Sequence, residues 1–221
     1  MGDVEEFDAL QPIILLGGGR HCKVVLDLIL QIGEYTVTGI SDMPEKMGSL
    51  VIDGFHINVM DKSLTLIPGE ICYAFVTHGE NLAVRKRLYE QAESREYIFP
   101  VLKSPHAYIS PYSSIGKGTL IVQKSSVNPS TVIGVNVIIN TGSIVEHDCV
   151  IGDHSHLGPG AVLCGGVNVG HSTFIGASSV VNPNVTIGDN VLIGSGTVGI
   201  KDVPDNVVVV GNPGQIIRDN I

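Results

Sequence analysis

One position in six along the second half of the chain is aliphatic. Counting from Ile109, the residues Ile115, Ile121, Val127, Ile133, Ile139, Val145, Ile151, Leu157, Leu163, Val169, Ile175, Val181, Ile187 and Ile193 continue the series without a break. A helix repeats near 3.6 residues and a strand near 2, so a period of six with turn residues in each repeat predicts short strands separated by sharp corners. The residue after each aliphatic is often Gly or Asn, as at Gly116, Gly134, Asn140, Gly152, Gly158 and Gly176, where a turn is expected to need positive φ. Four residues after each aliphatic comes a small or Val-sized side chain, from Ser113 and Thr119 through Ser179 to Thr197. Three such sides make one triangular coil, and the series predicts five coils stacked at about 4.8 Å, with the aliphatics aligned in interior columns.

The front half has a different rhythm. Residues 12–18, PIILLGG, read as a buried strand entering a Gly-rich turn. Val24, Val25, Leu28, Ile29 and Ile32 then recur at helical spacing, with Gly33 as the C-cap. Tyr35–Ile40 reads as a second strand ending at Ser41-Asp42, Cys72–Thr77 as a third, Asn81–Ala92 as a second helix and Tyr97–Leu102 as a fourth strand. This order predicts a small Rossmann-like parallel sheet over residues 1–104 and a parallel β-helix with a C-terminal tail over 105–221. The first loop offers backbone N–H groups and a helix N-terminus to a phosphate.

Composition narrows the function classes. The chain has 221 residues and a formal net charge of -9, which argues against nucleic acid or an anionic membrane as partner. Gly is abundant at 27 residues and Trp is absent, consistent with tight turns and a core of small aliphatic layers. The start, MGDVEEF, lacks the charged and apolar regions of a secretory signal, and no apolar run is long enough to span a membrane, so a cytoplasmic location is expected. Cys22, Cys72, Cys149 and Cys164 show no metal-ligand spacing and read as small hydrophobes.

The hexads from Ile109 to Val198 resemble the hexapeptide-repeat acyltransferases, and the closing Val203-Pro204-Asp205-Asn206 and Val210-Gly211-Asn212-Pro213 resemble that family's exit from its left-handed β-helix. Gly17-Gly18-Gly19-Arg20-His21-Cys22-Lys23 in front of such a domain resembles the nucleotide-amino-sugar N-acetyltransferases and sialic acid O-acetyltransferases of bacteria, with Arg20 and Cys22 where the family usually has Gly. Gly79-Glu80-Asn81 resembles the family's Gly-Asp-Asn element, and Gly214-Gln215 stand where it usually has Ala and a basic residue. The resemblance implies acetyl-CoA as co-substrate, no metal, and a homotrimer. It implies a nucleotide-linked 4-amino-4,6-dideoxy sugar for surface glycans as preferred acceptor, with sialic acid O-acetylation as the alternative. It places Gly19, Arg20, His21, Asp42, Gly79, Asn81 and Asn140 at the sugar nucleotide, and His156, Gly165, Ala177 and Ser195 at acetyl-CoA. His147 is the implied general base, removing a proton from the amine that attacks the thioester directly. Asp148 beside it would orient the imidazole, although neighbours on a strand point apart. Cys149 and Cys164 face inward or flank a corner, so neither is the nucleophile.

The repeat itself filters the histidines. Eighteen residues separate stacked positions, so His171 lies between Asp153 and Asp189, a stabilising column without catalysis. His147 stacks between Pro129 and Gly165, which cannot pair with it, and is left for a substrate. Two other classes share such scaffolds. The irregularities of the repeat argue against a purely structural solenoid, and a γ-type carbonic anhydrase would leave the front domain unexplained and need converging zinc ligands, whereas His154 and His156 flank a corner and diverge.

Overall fold

The protein is described from a computed structural model in which residues 10–60, 72–79 and 81–220 are defined; Glu80 lies outside them. Strand β1 (Gln11–Leu16) buries Ile13, Leu15 and Leu16, and helix α1 (Cys22–Ile32) turns Val25, Leu26, Leu28 and Ile29 inward. Gly33 closes α1 in the left-handed region at φ 71°, its N–H donating to Ile29 O, a position that suits a residue without a side chain. Strand β2 (Tyr35–Asp42) pairs with β1 in parallel, as does the strand Tyr73–Val76 on the other side. Helix α2 (Leu82–Glu93) follows, its N-terminus capped by Asn81 Oδ1, which accepts from Val84 N–H at 3.0 Å.

The expected fourth strand over Tyr97–Leu102 joins this sheet at one residue alone. Ile98 makes only an isolated bridge to Tyr73, Pro100 supplies no N–H, and Leu102–Lys103 pairs instead with Leu120–Ile121 of the β-helix. The edge beyond β2 is taken by Val59–Met60.

From Leu102 onward, two-residue strands stack with an 18-residue register, Leu120 on Ile138 on His156 on Phe174 on Leu192 along the first face. The second face runs through Tyr108, Ser126, Ile144, Val162, Val180 and Val198. The third runs through Ser114, Val132, Val150, Asn168 and Thr186. The aliphatic series fills the interior from Ile121 to Ile193. Lys103 occupies the aliphatic phase one hexad before Ile109, so the coil begins earlier than the pattern shows.

The corners work differently from the expectation. Positive φ falls three residues after each aliphatic from Ile115 to Ile193, for example at Lys124, Ser130, Asn136, Asp148 and His154. The glycines directly after the aliphatic answer to close approach: a Cβ on Gly152 would lie 2.7 Å from Gly170 C and His171 N. The small residues do lie inside, and several bond the next coil: Ser143 donates to Gly158 O at 3.0 Å and Ser155 to Gly170 O at 2.7 Å.

α1 packs over the first face. Leu102, Leu120, Val122 and Ile138 share one buried cluster with Ile13, Leu28, Ile29 and Phe75. At about 1.5–3 kcal/mol per buried aliphatic side chain, this contact fastens the two units together firmly. At the far end Val207–Val210 pairs with Leu192–Ile193, and Gln215–Asp219 folds back antiparallel on it.

Candidate active site

The Gly-rich turn leaves β1 at its C-terminal end, where open α/β sheets bind ligands. Gly17 sits at φ 110°, and a Cβ on Gly18 would meet Ile57 at 2.5 Å. Asp42 at the end of β2 holds this turn. Its Oδ2 accepts from Gly18 N–H at 2.9 Å, its Oδ1 from Met43 N–H at 2.8 Å, and both oxygens lie 3.0 Å from Lys46 Nζ. Burial acts to raise its pKa, but the bonds from Met43, Lys46 and Gly18 outweigh it and the net shift is downward. Asp42 is therefore a buried brace with its lone pairs occupied, and Lys46 is the half-exposed group beside it.

Gly19 and Arg20 are exposed at the rim of a cleft of about 350 Å³ that His21, Lys46, Thr77, His78 and Gly79 also line. A second cleft of about 470 Å³ shares Arg20, His21 and Gly79 and reaches the β-helix at Asn140, His156 and Phe174, with Val24 on its wall. The front-domain loop thus opens onto the first face of the β-helix. Burial, then the charge of Arg85, then His78 lower the His21 pKa to about 4.

His156 is a buried strand residue rather than an exposed corner. Its Nδ1 lies 3.1 Å from Gly79 O and its Nε2 3.1 Å from Asn140 Nδ2. Asn140 Oδ1 accepts from Thr141 N–H at 2.8 Å, which orients the amide, so His156 carries its proton on Nδ1 and accepts on Nε2. Burial, then Arg85 and His21 push its pKa down to about 3, so the imidazole is neutral. His154 is engaged separately, by Asn136 at 2.9 Å, so it and His156 do not converge. Among the described residues no three His, Cys, Asp or Glu side chains gather as a metal site.

His147 stands at the corner between the second and third faces. Its ring lies against Gly165, one coil on: a Cβ there would be 2.7 Å from His147 Cε1. Asp148 meets it after all, Oδ2 to Nδ1 at 2.7 Å, because Asp148 has φ 60° and the chain is turning rather than extended. With Nδ1 taken, Nε2 is the ring nitrogen left open. Both side chains are 63% exposed. Gly165 N–H donates to no group among the described residues, and Gly166 N–H bonds back to His147 O at 2.9 Å.

The positions assigned to acetyl-CoA do not share one corner. Ala177 and Ser195 stack with Thr141 between the first and second faces, next to Asn140, whereas Gly165 stacks with His147 at the following corner. His156 lies on the front-domain side of the first, and Asn81 caps α2 through its Oδ1. The His171 column also differs in its bonding. Val135, Asp153, His171 and Asp189 N–H groups donate to Asp153 Oδ1, His171 Nδ1, Asp189 Oδ1 and Asp205 Oδ1 in turn, so the ladder is side chain to backbone, and His171 Nδ1 lies 3.7 Å from Asp153 Oδ2.

Lys46, Phe174 and Arg85 were not foreseen at the site. Phase arithmetic reaches Phe174, eighteen residues after His156; Lys46 and Arg85 carry no pattern of their own.

This two-part arrangement has known relatives. Residues 12–92 match the PglD N-terminal domain family, and residues 130–165 and 166–198 match the bacterial transferase hexapeptide family of six repeats. The chain belongs to the hexapeptide-repeat sugar acetyltransferases that carry this front domain, enzymes that use acetyl-CoA. It is similar to the acetyltransferase domain of PglB from Neisseria gonorrhoeae FA1090 in complex with acetyl coenzyme A, with 31% identity over 95% of this chain and 100% of that one and a TM-score of 0.86. It is similar also to PerB from Caulobacter crescentus in complex with CoA and GDP-perosamine, with 34% identity over 95% and 98% of the chains and a TM-score of 0.86. A His-to-Asn mutant of perosamine N-acetyltransferase from the same organism, with CoA and GDP-perosamine, gives 32% identity over 96% and 99% and a TM-score of 0.88. No curated protein sequence matches the chain significantly.

Proposed function

We propose that the protein N-acetylates a nucleotide-linked 4-amino-4,6-dideoxy sugar destined for a surface glycan, with acetyl-CoA as donor and His147 as general base. The observation that carries this reading is the cleft running from the Gly-rich turn to Asn140 and His156, which suits an acceptor held by its nucleotide in the front domain with its sugar laid on the β-helix. Arg20 and Lys46 bring positive charge to a phosphate in an otherwise acidic chain. Support for an amino sugar comes from relatives solved with GDP-perosamine.

The amine attacks the thioester carbonyl, the C–N bond forms, and the C–S bond breaks to release the CoA thiolate. His147 Nε2 takes the amine proton and passes it to the thiolate; Asp148 at Nδ1 fixes the ring for that transfer. Gly165, whose side-chain position is filled by the His147 ring, offers the N–H that acts as donor for the developing oxyanion. Neither Cys149, buried and raised in pKa chiefly by burial, nor any covalent intermediate is required.

The acceptor cleft and His147 lie at different corners of one chain, separated by the second face. A homotrimer resolves this, the acceptor cleft of one protomer facing the His147 corner of its neighbour. Ile144 on that face is 36% exposed and Tyr108 56%, with Val162 and Val180 half-buried between the two corners.

The test is steady-state kinetics with a series of nucleotide amino sugars, reading CoA release. A 4-amino-4,6-dideoxy sugar nucleotide is expected to turn over with a kcat/KM far above that of the free amino sugar. Equal use of the free sugar would show that the front domain does not hold a nucleotide.

A further inference from the structure

Arg85 belongs to no motif, yet it is the most fully buried charge described. It lies on α2 with 0% of its surface exposed, and no carboxylate pairs with it among the described residues. Nη2 donates to His154 O at 2.5 Å and to Ser155 O at 2.9 Å, while Nε and Nη1 have no partner among the described residues. An unpaired buried guanidinium is costly, and its own pKa is lowered to about 9 by burial. Packing alone would be served better by Met or Leu at this helix position.

Its surroundings explain the charge. The two carbonyls it grips belong to the residues immediately before His156, and the loop that begins α2 supplies Gly79 O to His156 Nδ1. Gly79 and Arg85 therefore hold, between them, the ring of His156 and the backbone leading into it. His156 in turn accepts from Asn140 Nδ2, whose second N–H remains for the cleft. The groups facing His156 are Arg85 from α2, His21 from the start of α1, Gly79 O, and Asn140 and Phe174 on adjoining coils, with His154 two residues before it.

We propose that Arg85 is a positioning residue: it fixes His156 in the tautomer with its proton on Nδ1, and through His156 it aims the Asn140 amide into the acceptor cleft. The positive charge also disfavours a proton on Nε2, which would turn His156 from acceptor to donor and release Asn140. The proposal rests on the acetyltransferase reading above, but one of its tests does not.

Arg85→Met should raise the KM for the nucleotide sugar at least about 10-fold and leave that for acetyl-CoA within about twofold, and Arg85→Lys should recover most of the loss. The second readout is the melting temperature from pH 7 to pH 4. Two histidines held neutral in the fold take up protons on unfolding below their ordinary pKa of 6.5, so the wild type loses stability as pH falls through that window. Burial, the larger cause, stays in Arg85→Met, but losing the cation raises the folded pKa of His156 and His21 toward the ordinary value, so Arg85→Met should show a shallower acid slope, and Arg85→Lys a slope like the wild type. A uniform drop in melting temperature with unchanged slope and unchanged KM values, or failure of both variants to fold, would make Arg85 a structural residue only and overturn the proposal. A wild type that transfers no acetyl group would instead defeat the proposed function and leave the slope comparison to decide Arg85.

Discussion

His147 owes its position to its phase in the repeat. Two residues past an interior Val145, it faces out at a corner, with Gly165 beneath it and Asp148 on Nδ1. His147→Ala is expected to keep the fold and lose at least about 10²-fold in kcat, the scale for a deleted general base. Asp148→Asn, which keeps the shape but not the charge, should lose less, about 10-fold. Gly165→Ala tests the same geometry from the other side. A Cβ 2.7 Å from Cε1 must push the ring aside, so kcat should fall while the melting temperature changes little. The outward phase and column of His147 were legible in the sequence, because the repeat turns residue number into position. The Asp148 contact was not, since extended neighbours point apart and only the corner's positive φ lets them meet. Asp42 shows the other limit: the sequence places a carboxylate at the end of β2, but only the fold reveals that Gly18, Met43 and Lys46 already occupy it.

At the scale of elements, the six-residue pattern was almost sufficient. It located each strand from Tyr108–Ile109 to Leu192–Ile193, because an interior aliphatic and a small inward residue are needed on every side of every coil. It lost the first strand, where Lys103 takes the aliphatic phase, and it misread the corner glycines as dihedral requirements when contact with the next coil sets them. Gly152→Ala should therefore destabilise by about 1–3 kcal/mol in denaturant melts, since backbone atoms must move to admit the methyl group. His171→Ala breaks one rung of the amide ladder and should cost about 1 kcal/mol with no change in kcat. In the front domain Asn81→Ala should cost about 1 kcal/mol through the lost cap of α2, read in denaturant melts. The strand expected over Tyr97–Leu102 failed because its pattern of burial is real but its partners are divided: Phe99 packs beneath α2, whereas Leu102 has crossed to the β-helix.

For the whole molecule, the proposed reaction brings an acceptor cleft at one corner of the β-helix together with a base at the next, across a face with exposed apolar residues. Val162→Asp on that face should shift light scattering from three times the monomer mass toward the monomer, with activity falling in step. Mixing His147→Ala chains with Asn140→Ala chains should restore part of the activity that each lacks alone, if subunits exchange. The central claim is acetyl transfer to a nucleotide-bound amine through His147, and it is tested most directly by mass spectrometry of a GDP-perosamine-type sugar nucleotide incubated with acetyl-CoA and either wild-type protein or His147→Ala. The wild type should form an N-acetylated sugar nucleotide one for one with released CoA, and the variant should do so at a rate at least about 10²-fold lower. An unmodified sugar nucleotide with the wild type, or equal product from both proteins, would contradict it.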